Sequence, residues 1–210
     1  PSIPDTAVFY ANVLSTTADS LYITSATSLS DTVGQALTQP FIVRVVDSLL
    51  NPVSDVPITF TVDSLPSGGS DYVFNPVSNI TNSSGYTETY FTMGSKVGTY
   101  RIRAHNSNLK NSPVTFRAIA SNDVADSIII ISGNQQSGAV GDTLSQQLSV
   151  RVVDQYQNNV QGTNISWTPS ADGIANPAIS ASGSDGIATT EWILRTITGT
   201  DSISATSGVL

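Results

Sequence analysis

The feature that most constrains this chain is an internal repeat. The sequence Val-Arg-Val-Val-Asp at residues 43–47 returns unchanged at residues 150–154, so the two copies are 107 residues apart. Further matches keep this spacing as far as Phe60 and Trp167, and from Asn75 onward the spacing is 101. A repeat of this length predicts two whole domains in tandem rather than a solenoid. The first copy carries the six extra residues by which the two spacings differ.

The boundaries of the repeated units do not coincide with the ends of the sequence. The first copy ends in an apolar segment at residues 113–120, and no such segment follows the second copy in the sequence. A segment of the same pattern stands at the start of the chain, where Phe9 and Ala11 align with Phe116 and Ala118. The sequence therefore predicts a leading strand, a complete domain and a domain that lacks its closing strand, at residues 1–17, 18–121 and 122–210.

Apolar and polar residues alternate along most of the chain, and no stretch has a helical period. Phe41, Val43 and Val45 share one face of a strand in the first copy, as Leu148 and Val150 do in the second. Turn sequences rich in Gly, Asn, Ser and Pro separate these short runs. The pattern predicts an all-β chain of two Greek-key β-sandwiches, the second without its last strand.

Composition limits the functions open to the chain. The formal net charge is −8, which argues against binding to nucleic-acid phosphates and to anionic membranes. No long apolar run is present in the sequence, so we expect no membrane insertion. The sequence has no Cys, so each domain depends on its apolar core for stability. A composition rich in Ser and Thr and poor in Lys favours the cell exterior over the cytosol.

A longer motif surrounds the repeated pentapeptide. In both copies an Asn follows four residues after the Asp, then a Val, then an Ile-x-Phe or Ile-x-Trp strand. A Ser-x-Gly turn and a Gly-Thr-x-x-Ile-x-Ala segment come later. This pattern resembles the bacterial immunoglobulin-like domains of the invasin and intimin type over nearly the whole chain. The resemblance implies immunoglobulin-like sandwiches and a stalk or assembly module outside the cell, and it names no ligand.

The sequence offers little for catalysis, so we expect no enzyme. His105 is the single His, and a His at a strand end is typical of a surface side chain. Asp123 and Asp126 lie between the copies, where Ca²⁺ could bind with help from Asp19 or Asp201, but no Ca²⁺-binding loop pattern is present in the sequence. We therefore expect solvated linker charges there, with no cofactor and no metal site.

Some residues are candidates for sugar chemistry. Three residues begin Asn-x-Ser/Thr sequences and are candidate glycosylation sites in a host with that machinery: Asn79, Asn82 and Asn164. A sugar-binding surface could use Tyr86, Tyr90 and Trp192, although aromatic residues in strands more often pack in cores or across strands. A ligand- or sugar-binding accessory module of a secreted protein is therefore one alternative function.

The complementary ends of the repeat suggest a mode of assembly. A sandwich without its last strand exposes an apolar groove and unpaired backbone groups, which another strand can complete. The leading segment presents alternating residues as a donor strand: Ala7, Phe9, Ala11 and Val13. The predicted acceptor groove is lined by inward residues of the second domain: Leu148, Val150, Val152 and Ile203.

We expect copies of this chain to join head to tail by donor-strand complementation. Such an interface does not close on itself and so makes an extracellular filament or pilus-like fibre. One alternative is a window of a covalent stalk, in a large bacterial surface adhesin made of many such domains. A host-cell or surface ligand is compatible with either arrangement, and the sequence does not specify it.

Overall fold

All regular secondary-structure elements among residues 6–208 are β-strands. The computed structural model describes residues 6–208, and sixteen strands in that range form two sandwiches in tandem. The prediction of an all-β chain with tandem sandwiches is confirmed. Residues 6–208 contain no helix that is long and apolar enough to cross a membrane.

The first sandwich contains nine strands. They are β1 (Ser20–Ile23), β2 (Ser28–Thr32), β3 (Phe41–Val46), β4 (Pro57–Ser64), β5 (Val73–Asn75), β6 (Ser78–Ile80), β7 (Tyr86–Thr92), β8 (Gly98–His105) and β9 (Val114–Ser121). One sheet has the order β1-β3-β7-β5 and the other β2-β9-β8-β4-β6. Only β2 and β9 pair in parallel within this sandwich; its other strand pairs are antiparallel.

Alternation along these strands builds the first core, since successive side chains point to opposite faces of a sheet. The largest fully buried side chains lie at alternating positions on both sheets: Phe41, Phe60, Phe91, Tyr100 and Phe116. Phe116 on β9 packs against Phe41 on β3, with ring centroids 4.7 Å apart. The closing strand therefore joins the two sheets through the core.

The second sandwich contains seven strands among the described residues. They are β10 (Ser127–Ser132), β11 (Leu148–Val153), β12 (Asn164–Pro169), β13 (Ile174–Asn176), β14 (Ile179–Ala181), β15 (Ile187–Ile193) and β16 (Ile203–Thr206). The sheets have the orders β10-β11-β15-β13 and β14-β12-β16. Compared with the first sandwich, residues 6–208 hold no counterpart of β9 and none of β2.

The loss of the β2 counterpart follows from the loss of β9. In the first sandwich β2 pairs only with β9, and Leu29 lies opposite Ala118. The aligned residues of the second sandwich, 135–139, form no strand because they have no closing strand to pair with. The sequence alignment predicted one missing strand, whereas among residues 6–208 this sheet lacks counterparts of two strands.

Candidate functional site

A groove runs along the incomplete edge of the second sandwich, lined by apolar side chains such as Trp167 and Trp192 and by polar ones such as Gln136. It has a volume of about 1030 Å³ and lies where β9 fills the first sandwich. Strand β16 pairs with β12 and with no other described strand, so its outer edge borders this groove. An unpaired edge beside an apolar cleft is a template for one more strand.

The structure places three of the four predicted acceptor residues on the groove. Leu148 and Val150 on β11 and Ile203 on β16 line it. Val152 does not: it is fully buried within the second core, which also contains Ile165, and it lies outside the groove lining. The inward face of β11 extends beyond the cleft, so the period of the strand alone could not separate lining residues from core residues.

Several groove residues were missed by the sequence analysis. Ile128 and Ile130 on β10, Trp167 on β12 and Trp192 on β15 also line the cleft. The repeat carried the necessary signal, because Ile128 aligns with Leu21, which is fully buried in the complete first domain. Alignment with the residues that β9 covers in the first domain would have identified them.

The described part of the leading segment, residues 6–17, lies outside every sheet. Residues 6–17 form no strand, and all four predicted donor residues, Ala7, Phe9, Ala11 and Val13, are exposed. The side chains of Phe9 and Val13 are each 94% exposed. Exposure of this apolar surface to water is unfavourable in free energy. A donor strand needs the sheet of another domain, and residues 6–17 pair with no sheet of their own chain.

The leading segment ends in a defined junction with the first domain. The Thr16 N–H donates to Asp47 Oδ2 at 3.0 Å, and the Thr16 hydroxyl donates to the same oxygen at 3.2 Å. The Asp123 N–H donates to Asp154 Oδ2 at 3.1 Å in the same way. Thr16 and Asp123 are aligned by the repeat, so the leading segment enters the first domain as β9 leads into the second.

Asp47 and Asp154 are buried carboxylates that organise the loop after β3 and the loop after β11. Asp154 Oδ1 accepts hydrogen bonds from the N–H groups of Tyr156 and Asn158, and the Asn158 amide donates to both of its oxygens. Asp47 is bonded by Leu49 and Asn51 in the same pattern. The Thr16 N–H bond, with help from Asn51 and Leu49, holds the pKa of Asp47 well below its ordinary value.

The same loops make the contact between the two domains. Tyr156 packs against the edge of the first core, and its carbonyl accepts a hydrogen bond from Lys96 Nζ at 3.2 Å. The Asn158 amide donates to the Ser95 carbonyl at 2.8 Å. The role of this Asp-x3-Asn loop in joining domains was missed by the sequence analysis, although the motif itself was recognised.

The carboxylates suggested for Ca²⁺ are not brought together. Asp19 pairs with Lys110 at 2.8 Å, and Asp201 pairs with Arg195 at 3.0 Å in a different loop of the second domain. Asp123 accepts a hydrogen bond from Gln155, and Asp126 is exposed. Among residues 6–208, no three or more His, Cys, Asp or Glu side chains are grouped in a way that would hold a metal ion.

The candidate sugar-related residues are separated. Asn79 lies on β6, Asn82 in the turn that follows and Asn164 at the start of β12, and all three are exposed. Tyr86 and Tyr90 are partly exposed on β7 of the first domain, whereas Trp192 is buried in the second core. These three aromatic residues therefore do not form one sugar-binding surface.

Comparison with solved structures identifies the fold. FdeC, an Escherichia coli adhesin described as eliciting protection against urinary tract infections, aligns with 92% of this chain at a TM-score of 0.52 and 12% identity. The chain covers 61% of that FdeC chain. The D0-D1 domain of intimin aligns over 92% of both chains at 18% identity and a TM-score of 0.36.

Comparison of the sequence itself gave no relative. No protein-family model matches the sequence, and the search of curated proteins found no match. The similarity to known proteins is therefore one of fold, and it rests on the structural alignment with FdeC. The chain consists of two tandem immunoglobulin-like β-sandwiches of the kind present in that bacterial adhesin.

Proposed function

We propose that this chain is a non-catalytic structural module of an extracellular, adhesin-type surface array whose copies join head to tail. In this arrangement the leading segment of one copy completes the second domain of another by donor-strand complementation. One observation carries the proposal: the second domain has an open groove where β9 stands in the first, and the exposed leading segment repeats the sequence pattern of β9.

The first domain supplies the register of the proposed interface. In it, β9 runs antiparallel to β8, with Phe116 opposite Ile102 and Val114 opposite Ala104. Carried over by the repeat, this register would put Phe9 opposite Ile203 and Ala7 opposite Ala205. Phe9 would lie over Leu148, the counterpart of Phe41, as Phe116 lies over Phe41.

The free energy of adding the donor strand in this register is the balance of several contributions. Burying an exposed Phe side chain contributes roughly 1.5–3 kcal/mol, and each net backbone hydrogen bond about 0.5–1.5 kcal/mol. Ordering the backbone opposes these gains by about 1–2 kcal/mol per residue. Persistence of the joint would come from slow release, since the donor strand must leave a sheet and a core together.

The strength of assembly can be tested with the 210-residue chain. We expect linear polymers whose length rises with protein concentration, measured by analytical ultracentrifugation and electron microscopy. Phe9→Asp should abolish them, because it places an unpaired charge in an apolar groove. Deleting residues 1–17 should have the same effect.

Tyr10→Asp is the matched control. Tyr10 aligns with Arg117, which is exposed on the outer face of β9, so a charge there should leave assembly unchanged. Equal loss of polymers in both variants would contradict the assigned register. If the variant without residues 1–17 formed as much polymer as the parent chain, donor-strand complementation would be overturned.

A covalent stalk is the second candidate, and the junction geometry favours it specifically. The Thr16–Asp47 bond repeats the Asp123–Asp154 bond, and the latter lies within one continuous chain. In a longer protein, residues 6–14 would close a preceding domain of the same polypeptide. A chain that stays monomeric, but whose groove binds a synthetic peptide of residues 5–17, would support the stalk over the filament.

A further inference from the structure

The two outer ends of the chain match the two halves of its internal junction. The internal junction consists of the loop after β11, with Tyr156 and Asn158, and a receiving surface on the first domain around Gly34 and residues 95–97. By the repeat, the same loop stands at the leading end of the first domain, with Leu49, Leu50 and Asn51. We name these three residues the leading face.

The receiving surface is repeated at the other end. Gly34 aligns with Gly141, and residues 95–97 align with Thr196, Ile197 and Thr198. We name these four residues of the second domain, Gly141, Thr196, Ile197 and Thr198, the trailing face. All four are exposed in the single chain.

Both faces already have the backbone shape of the internal junction. The Gly34 N–H donates to the Gly94 carbonyl at 3.2 Å, and the Gly141 N–H donates to the Arg195 carbonyl at 3.0 Å. The two glycines have φ of 74° and 78°, a region that favours glycine. The leading face would therefore meet a preformed surface, with little reorganisation to oppose docking.

The two domains hold this receiving loop by different means. In the first domain Asp71, from the longer loop after β4, accepts a hydrogen bond from the Ser95 N–H at 2.9 Å. In the second domain Arg195 pairs with Asp201 at 3.0 Å. The loop is thus kept in place at the trailing face by residues that the first domain does not have.

The loop of the leading face also keeps the internal conformation. Leu50 and the aligned Gln157 both have positive φ, at 68° and 63°. The Asn51 amide donates to Asp47 Oδ2 at 3.1 Å, as Asn158 does to Asp154 at 3.0 Å. Yet Asn158 is buried against the first domain, whereas Asn51 is exposed. Asn51 therefore holds the geometry of a junction residue without the neighbour that covers it.

The side chains at the outer ends differ from the internal ones in a complementary way. At the internal junction Lys96 meets the Tyr156 carbonyl. At the outer ends the aligned pair is Ile197 and Leu49, so both positions are apolar. Their exposed fractions are 66% and 74%. Two exposed aliphatic side chains are costly to leave in water, and contact between them would remove that cost.

We propose that the leading face docks on the trailing face of a second copy, with Leu49 packed on Ile197 and Gly141. The Asn51 amide then bridges the Thr196 carbonyl and the Thr198 N–H. This interface rests on the head-to-tail arrangement proposed above and adds to it a contact made by the loop after β3 instead of by the donor strand. On the receiving side, Ile197 and Thr198 also line the groove. It sets the angle between copies, because a strand alone leaves the following domain free to swing.

A disulfide experiment tests the contact directly, since the sequence has no Cys. In the double variant Leu49→Cys with Ile197→Cys, mild oxidation should give a ladder of covalent multimers on a non-reducing gel. The control pairs Leu49→Cys with Ile179→Cys, because Ile179 is of similar exposure, 59% against 66% for Ile197, but lies on β14. It should give at least about tenfold less multimer if the faces dock as described.

The outcomes separate the two proposals. Polymers with no preferential ladder for the 49/197 pair would overturn the docking face and leave donor-strand complementation standing. A ladder that persists in a chain also carrying Phe9→Asp would keep the docking face and count against the donor strand. Absence of both polymers and ladder would overturn both. Leu49→Lys alone should weaken assembly. Adding Ile197→Glu should restore it, because the two substitutions introduce an opposite-charge pair across the interface.

Discussion

Asp47 and Asp154 show how one residue type organises the leading end of each immunoglobulin-like domain. Each carboxylate is buried and accepts main-chain N–H bonds from its own loop and one from the segment that enters the domain. Around Asp47 these bonds stabilise the ionised form, because the donors are fixed by the fold. The same aspartate therefore couples the loop shape to the position of the preceding strand.

This coupling predicts an acid-sensitive first domain. The folded-state pKa of Asp47 is lowered, so its contribution is complete above the unfolded pKa of about 4 and is lost as the pH falls further. We expect the free energy of unfolding of the chain to decrease from about pH 5 downwards, measured by urea titration at each pH. The hydrogen bond from Lys110 lowers the pKa of Asp19, and the Ser95 N–H lowers the pKa of Asp71. Both carboxylates therefore add to the same pH dependence of stability.

The Asp47→Asn variant is the control for that slope. It should be less stable than the parent at neutral pH, because an amide replaces one acceptor oxygen with a donor. Its stability should then depend less on pH between about 5 and 2. An unchanged slope in this variant would show that other carboxylates cause the acid sensitivity.

At the scale of elements, the closing strand is the unit that decides whether a domain is complete. With β9 present, β2 forms beside it and the first core is sealed; without it, the second domain keeps an open groove and a loop in place of β2. A strand fills its place by pairing with an edge and by inserting alternating side chains into the core. The alternation is present in the sequence of residues 7–13 as well as in β9.

Phe116 and Phe9 allow a paired prediction. Phe116→Ala should lower the free energy of unfolding of the first domain by about 3–5 kcal/mol, because it leaves a cavity against Phe41. Phe9→Ala should leave the unfolding of the unassembled chain unchanged, since its ring is exposed. The measurement is urea unfolding at a concentration below that of assembly.

The variants Phe9→Ala and Phe116→Ala should also differ in their effect on assembly. Above the assembly concentration, Phe9→Ala should reduce polymer mass in sedimentation, while Phe116→Ala should act through domain stability alone. If Phe9→Ala destabilised the dilute monomer, residues 6–17 would have to pack on their own chain, contrary to the structure.

At the scale of the molecule, the two domains meet through side chains rather than through the linker alone. Tyr156 and Asn158 reach the first domain around Gly34 and Ser95, so the junction has a preferred geometry. A β-carbon at Gly34 would lie 2.5 Å from the Tyr156 hydroxyl, which shows how closely the ring approaches. Contacts of this kind limit the swing between domains.

Removing the ring should loosen the junction without unfolding either domain. We expect Tyr156→Ala to broaden the distribution of interdomain distances, measured by spin labels or small-angle scattering. Leu49→Ala is the matched control, because Leu49 holds the aligned position and is exposed in the single chain. Identical distributions for both variants would show that the linker alone sets the domain arrangement.

The sequence by itself determined the tandem all-β fold, because period-2 alternation and an internal repeat can be recognised in the sequence without knowledge of tertiary contacts. It also identified Leu148, Val150 and Ile203 as inward residues. Only the tertiary structure separated Val152 from the groove and removed the β2 counterpart. It alone showed the Asp-x3-Asn loop as a junction. These features depend on what stands opposite a residue in space, and that is set by the packing of the whole sandwich.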